Sequence, residues 1–176
     1  ESAATLNSLG VIAEARDHLS EADTYLSRAL TINERLLPGG LEVARSLSNL
    51  GRVALKRGDL KKTEECFLRA LAIREKLAPV SLDTAASLNL LGNLALERGD
   101  LSSAQNFYQL SLEMRGKVAP ESMDVAYSLN NLGVAAYWRG HLAAAEDYYS
   151  HSLTIKERHA PNSQDVAQTL NNLGLL

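Results

Sequence analysis

Apolar residues recur along this chain at intervals of three and four positions, which is the spacing of one face of an α-helix. Two apolar stripes of this kind follow one another within each stretch of 41 residues. Around Gly92 they are Leu88–Leu91–Ala95 and Leu101–Ala104–Tyr108–Leu112. The strict alternation of a half-buried strand is missing, so the pattern predicts an all-helical chain built from pairs of amphipathic helices.

A glycine marks the same point of the pattern in every copy, at a constant spacing of 41 residues. These glycines are Gly10, Gly51, Gly92, Gly133 and Gly174. A fixed period of this length, kept without insertion or deletion, is typical of stacked-repeat solenoids. We expect units at about 1–40, 41–81, 82–122 and 123–163 and a partial fifth unit at 164–176. Residue 1 already aligns inside a repeat, so we expect a piece of a longer protein.

Glycine, aspartate, serine and proline set the predicted helix ends. Gly58-Asp59 and Gly99-Asp100 combine a glycine suited to a left-handed helix end with an aspartate suited to N-cap the next helix. Serines at 81, 122 and 163 follow a proline and can cap the next first helix. This predicts first helices near 41–57, 81–98 and 122–139, and second helices near 18–36, 59–77, 100–118 and 141–159.

Two further repeated positions have structural interpretations. The glycine inside each first helix costs about 1 kcal/mol relative to alanine, so its recurrence indicates close approach of the neighbouring helix. The arginines at the C-terminal ends of the first helices suit the negative end of the helix dipole. They are Arg16, Arg57, Arg98 and Arg139.

The repeat resembles the tetratricopeptide repeat. The positions that carry the resemblance in the second unit are Leu47, Leu50, Gly51, Ala54, Gly58, Phe67, Ala70 and Leu71. The family's usual tryptophan is leucine here, and Thr63 replaces a small alanine. The period exceeds the common 34 by seven residues, as in kinesin light chains. The resemblance implies a right-handed superhelical solenoid of antiparallel helix pairs, in which first helices line a concave groove for a partner segment.

The amino-acid composition limits the kinds of molecule that this chain is expected to bind. A net charge of −3 gives no overall attraction to phosphate backbones or anionic lipid. No apolar run approaches the roughly 18 residues of a membrane span. We therefore expect neither nucleic acid nor membrane as partner. The single cysteine, Cys66, cannot form an internal disulfide, which fits a reducing, cytoplasmic location.

The residues that could carry chemistry have structural interpretations. His18 and His141 occupy the interhelix position where other copies have aspartate, so capping explains them better than catalysis. His151 and His159 have no partner at metal-ligand spacing. Cys66 precedes core-like Phe67, so we expect a buried or half-buried thiol rather than a nucleophile. No phosphate-binding loop or nucleophile motif is present. We expect no enzyme activity, no cofactor and no metal.

If the family geometry holds, one stripe of each first helix faces the groove, at offsets −6, −2, +1 and +5 from the glycine. We call these residues the variable stripe, because they differ between copies while the packing positions repeat. Its members are Ala4, Ser8, Val11 and Ala15; Arg45, Asn49, Arg52 and Lys56; Ala86, Leu90, Asn93 and Glu97; Tyr127, Asn131, Val134 and Trp138; and Gln168, Asn172 and Leu175.

Binding candidates within the stripe fall into three chemical classes. Arg45, Arg52 and Lys56 form a basic group, whose alternative interpretation is a solvated face. Tyr127 and the only tryptophan, Trp138, form an aromatic group, whose alternative is packing. Tryptophan, tyrosine and arginine are the residues enriched at binding hot spots. The third class is amides, which can pair with any peptide backbone. These are Asn49, Asn93, Asn131 and Asn172.

These features favour a protein-interaction scaffold that binds an extended peptide with acidic and bulky apolar residues. The alternative is a regulatory or spacer array within a larger signalling protein, such as one fused to a protease or an ATPase. End-to-end self-association is a further possibility, because several leucines of the partial fifth unit lack a second helix to cover them. They are Leu170, Leu173, Leu175 and Leu176.

Overall fold

The computed structural model describes residues 2–176, and within them the chain forms nine α-helices and no strand. The helices are α1 (Ala3–Ala15), α2 (Leu19–Leu36), α3 (Leu41–Lys56), α4 (Leu60–Leu77), α5 (Leu82–Glu97), α6 (Leu101–Val118), α7 (Met123–Trp138), α8 (Leu142–His159) and α9 (Gln164–Leu173). Each helix end predicted from the sequence lies within about one residue of the observed one. The all-α prediction is confirmed.

The chain divides into two compact units. The N-terminal unit, Glu1–Pro79, holds α1 to α4, and the C-terminal unit, Val80–Leu176, holds α5 to α9. Within each unit, every helix packs against the next along the chain, and the two helices of a repeat share the most extensive contact. This sequential packing of helix pairs is the arrangement of a helical repeat protein.

The turns within the pairs follow the predicted chemistry, with two exceptions. Gly58, Gly99 and Gly140 have φ of 75°, 73° and 76°. The side chains of Asp59 and Asp100 accept the backbone N–H of Lys62 and Ser103, each at 3.0 Å. His18 and His141 occupy the same N-cap position but make no side-chain cap hydrogen bond. Capping by these imidazoles is therefore a wrong prediction: in this geometry the helices begin without a side-chain acceptor.

Serine caps begin the first helices as predicted. The hydroxyl oxygens of Ser81, Ser122 and Ser163 accept backbone N–H groups three residues later, at 3.1, 3.4 and 3.3 Å. Ser2 caps α1 in the same way, at 3.2 Å. These bonds satisfy donors that a helix N-terminus otherwise leaves unpaired.

The central glycines lie where a side chain of the second helix occupies the space of a Cβ. A Cβ added at Gly92 would come within 2.4 Å of the Tyr108 ring, and one at Gly133 equally close to the Tyr149 ring. At Gly10 the obstacle is Leu26, at 2.5 Å. Real Cβ atoms do not approach so closely, so these positions need glycine. The predicted close helix approach is confirmed.

Buried polar contacts join consecutive repeats within each unit. In the C-terminal unit, Arg115 donates to the Ser128 hydroxyl at 2.7 Å and to the Asp124 carbonyl at 2.9 Å. Lys156, 1% exposed, makes the equivalent bonds to Thr169 Oγ1 at 2.8 Å and to the Asp165 carbonyl at 3.4 Å. Each cation therefore ties a second helix to the first helix that follows it.

The N-terminal unit contains the same contact in neutral form. Asn33 donates to the Ser46 hydroxyl at 3.0 Å and to the Glu42 carbonyl at 3.3 Å. Asn7, from the preceding repeat, donates to the same hydroxyl at 2.9 Å. Ser46 is fully buried and thus links three helices.

Candidate functional site

Every described member of the variable stripe is half-buried or exposed, while the repeated leucines beside it are mostly buried. The stripe is thus the accessible side of the first helices. Its segments on α1 and α3 belong to the N-terminal unit, and its segments on α5, α7 and α9 belong to the C-terminal unit. We describe the two sets separately.

The basic group on α3 is held by a carboxylate from α1. Glu14, whose side chain is only 7% exposed, pairs with Arg52 and with Lys56. Glu14 Oε1 lies 3.4 Å from Arg52 Nε and 3.3 Å from Lys56 Nζ, and Lys56 also contacts the Glu14 carbonyl at 3.4 Å. Two cations and one carboxylate leave this cluster with a net charge of +1. Both cations remain partly exposed and keep donors for a further acceptor.

Arg45 and Asn49 lie beside that cluster on α3. Arg45 pairs with the exposed Glu42 three residues earlier. Asn49 and Arg45 line a shallow cleft of about 290 Å³ with Asn7, Ser8, Val11 and Ile12 of α1. The Oδ1 atom of Asn7 is buried there and has no hydrogen-bond partner within the described residues. The accessible polar groups of the cleft therefore include the Asn49 amide and the Arg45 cation.

The asparagines of the C-terminal unit have intrachain partners. Asn131 donates to Asn89 at 2.9 Å, and Asn172 donates to Asn130 at 3.3 Å. These bonds connect first helices of adjacent repeats. Each of these two amides retains one N–H and its carbonyl oxygen for another group.

The remaining asparagine of this set contacts the second helix of its own repeat. Asn93 Oδ1 accepts the Tyr108 hydroxyl proton at 2.8 Å. Asn93 therefore has a structural contact, and its amide N–H groups are the part that could meet a ligand.

Tyr127 is anchored between two charged residues. Its hydroxyl donates to Asp165 Oδ2 at 3.0 Å, and Lys156 Nζ lies 5.4 Å from its ring centroid. Desolvation by burial, followed by the hydrogen bond and charge of Asp165, raises the pKa of the Tyr127 phenol. Tyr127 is 39% exposed, so part of the residue remains accessible.

Trp138 is a strongly exposed aromatic residue of the stripe, at 65%. It is the last residue of α7, and its ring meets Tyr137 edge-on at 5.7 Å between centroids and 74° between planes. Together with Leu96, Glu97, Gly99 and Leu101 it lines a cleft of about 470 Å³. The indole is therefore accessible at the end of α7.

Two features of the site were missed from the sequence. Glu14 stands where the following copies have leucine, leucine and tyrosine, and this exchange was a detectable signal. The buried Asn33, Arg74, Arg115 and Lys156 also recur every 41 residues, each 13 positions before a serine or threonine. A polar residue that repeats at a helix-core position is the signal that would have revealed the hydrogen bond between each second helix and the first helix that follows it.

Residues considered for other chemistry lie apart from one another. Cys66 is 6% exposed, as predicted, and burial raises the pKa of its thiol. Among residues 2–176, no three His, Cys, Asp or Glu side chains come together as a metal site would require. None of the described helices combines the length and the apolar character that crossing a bilayer demands.

Comparison with protein families identifies the repeat. The family model described as tetratricopeptide repeat matches residues 1–76 and 42–117, and a second model with the same description matches 125–165. No curated protein matches the chain.

Solved structures give the same result for the fold. BtubC (BKLC) from P. vanneervenii is 27% identical with a TM-score of 0.77, over 89% of this chain and 65% of that one. This chain thus spans just under two thirds of BtubC. A candidate kinesin light chain from Podospora anserina with nearly identical TPR-like repeats has 16% identity and a TM-score of 0.80, covering 97% and 83% of the two chains. The apo form of RapI has 17% identity and a TM-score of 0.78, covering 94% and 45%.

Repeats of this kind generally form non-catalytic scaffolds for protein interactions. The 41-residue period, the nine helices of residues 2–176 and these matches agree with one another. The chain belongs to the tetratricopeptide repeat family and is an all-α TPR solenoid of the long-period, kinesin-light-chain-like type.

Proposed function

We propose that this chain is a docking scaffold that binds an extended segment of another protein through the variable stripe. The family supports a role in protein interaction. The stripe supports the location of the binding surface, because its side chains are accessible and differ between copies, whereas the flanking leucines repeat and are mostly buried. Contacts that only maintain the fold would instead repeat with the period.

The observation that carries this proposal is the exposure of Trp138. Its counterparts in the other copies are Ala15, Lys56 and Glu97, so the fold does not require an aromatic residue at this position. An indole that is 65% exposed beside a cleft leaves a large apolar surface in water. A partner side chain that covers it would gain the burial energy typical of tryptophan hot spots.

The cluster of Glu14, Arg52 and Lys56 suits an acidic group of the partner. The buried carboxylate fixes both cations in position, which lowers the entropy lost when they bind a ligand. The net charge of +1 favours a carboxylate over a neutral group. The proposed partner therefore has an acidic residue for α3 and a bulky side chain with apolar surface for Trp138.

Selection from a displayed library of random peptides tests this proposal without knowledge of the natural partner. Peptides selected on the whole chain are titrated against Arg52→Ala/Lys56→Ala and against Trp138→Ala. Matched controls are Arg69→Ala, an exposed ion-paired arginine on α4, and Leu110→Ala, an exposed apolar residue on α6. We expect Trp138→Ala to lower affinity by about 2 kcal/mol. The double variant should slow association and flatten its salt dependence.

Three results would contradict the proposal. They are the recovery of no binder, binders that are equally sensitive to the control variants, and binders that neither stripe variant weakens. The first result would instead favour a spacer array that acts through contacts within a larger chain.

A further inference from the structure

The cleft beside Trp138 combines apolar walls with one carboxylate. Leu96 and Leu101 are half-buried and supply aliphatic surface, and the indole supplies an aromatic surface. Gly99 leaves its part of the wall without a side chain, and a Cβ there would meet nothing within 4 Å. Glu97 is the sole charged residue among those lining the cleft.

Glu97 differs from Glu14, the acidic residue beside the stripe of the other unit. Glu14 is buried and pairs with two cations, whereas Glu97 is exposed and has no ion pair among residues 2–176. Arg139, which follows Trp138 in the sequence, donates from Nη1 to Gln105 Oε1 at 2.5 Å. Glu97 also contributes, after burial, to the raised pKa of the Tyr108 phenol. The cleft therefore has an uncompensated negative charge.

We propose that this cleft receives a lysine or arginine side chain of the bound protein segment. The aliphatic stem of such a residue fits against Leu96 and Leu101 while its charged end stays at the surface. The cation can lie over the indole face of Trp138, where the ring quadrupole attracts it, and pair with Glu97. The inference rests on the proposed function and adds the chemical class of one contact residue.

A purely apolar side chain fits this cleft less well. It would cover Trp138 equally, but it would remove water from the Glu97 carboxylate without giving it a partner, which costs free energy. An acidic side chain would add repulsion from Glu97. This cleft therefore favours a positively charged side chain, whereas the cluster of Glu14, Arg52 and Lys56 favours a negatively charged one.

Short peptides with one variable residue test the inference directly. The probes are acetyl-Ala-Ala-Xaa-Ala-Ala-amide with lysine, norleucine or glutamate at Xaa, because norleucine keeps the lysine stem and lacks its charge. Binding to the whole chain is followed by the fluorescence of Trp138, the only tryptophan, and by its indole N–H signal in NMR spectra. We expect the lysine peptide to bind about 3- to 10-fold more tightly than the norleucine peptide, and this preference to shrink as salt is added.

Variants at the cleft distinguish the contribution of the Glu97 charge to peptide binding from that of the apolar contact with Trp138. Glu97→Gln should abolish the preference for lysine and leave norleucine binding unchanged. Trp138→Phe lacks the tryptophan signals, so its binding is followed by the backbone amide signals of α5 and α7 in NMR spectra, and it should bind both peptides more weakly. Equal or tighter norleucine binding, a lysine preference that survives Glu97→Gln, or no binding of any probe would overturn the inference. The proposed function would still stand if selected library peptides require Trp138 and place an apolar residue against it.

Discussion

At the scale of single residues, the glycine inside each of α1, α3, α5 and α7 recurs because a Cβ atom at that position would collide with the second helix of the same repeat. The space that a Cβ would need is filled by an aromatic ring at Gly51, Gly92 and Gly133. Recurrence in the sequence was sufficient to predict close packing, because glycine is unfavourable inside a helix unless something requires it. The identity of the obstructing ring came only from the structure.

Alanine at Gly92 should therefore destabilise the fold. Its Cβ would force the Tyr108 ring to move and disturb the Tyr108–Asn93 hydrogen bond. We expect a loss of about 1–3 kcal/mol in the free energy of unfolding, measured by urea denaturation. The control is Gly116→Ala on α6, where a Cβ would meet nothing within 4 Å. That variant should gain up to about 1 kcal/mol, and equal effects of the two substitutions would contradict this explanation.

The candidate site was only partly predictable at this scale. The spacing placed Trp138, Arg52 and Asn131 on the accessible side of their helices, because helical geometry fixes which face a residue occupies. It could not assign their partners. The pairing of Arg52 with Glu14 and of Asn131 with Asn89 depends on how adjacent helices meet, and that is set by side chains 38 and 42 positions away.

At the scale of helices, pairs of neighbouring repeats are joined by a buried polar residue. Lys156 extends from α8 to the N-terminal turn of α9, where it meets Thr169 and the Asp165 carbonyl. Burial lowers the pKa of this amine, although the Asp165 carboxylate opposes the shift. Lys156 is a charged residue that is only 1% exposed. We therefore expect its contact to align the two helices more than it stabilises the fold.

Replacing Lys156 by methionine tests this contact. The folded state releases the Lys156 proton at a lower pH than the unfolded state, so stability should rise with pH in the window below 10.5. Below that window both states are protonated and the cost of burying the charge is fully present. Lys156→Met should leave stability at neutral pH unchanged or raise it by about 1–2 kcal/mol, and should reduce the rise with pH.

Lys117→Met, at an exposed position near the end of α6, is the control for the pH profile. Denaturant unfolding of both variants between pH 7 and alkaline conditions provides the measurement. A large loss of stability in Lys156→Met, together with an unchanged pH profile, would mean that the amine stabilises the helix contact rather than only aligning it.

At the scale of the whole molecule, the sequence predicted the helix boundaries because the same pattern of residues occurs in each 41-residue copy. Five copies of one glycine fixed the period, and the caps at Asp59, Asp100, Ser81 and Ser122 fixed the helix ends to within about one residue. The imidazoles at 18 and 141 were the exception, because a residue type at a cap position does not ensure the cap bond. The proposed function depends on positions that do not repeat, and for these positions the sequence gives the residue type but not its contacts.

We propose that the variable stripe, rather than the second helices, contacts the partner. The most direct test is an NMR titration of the isotopically labelled chain with a library-selected peptide, observing side-chain N–H groups. We expect the largest shifts at the Trp138 indole N–H and at the Arg52 Nε–H, and no shift at the side-chain amide of Gln109 on α6. Shifts concentrated on α4, α6 or α8 with an unperturbed Trp138 signal would contradict it.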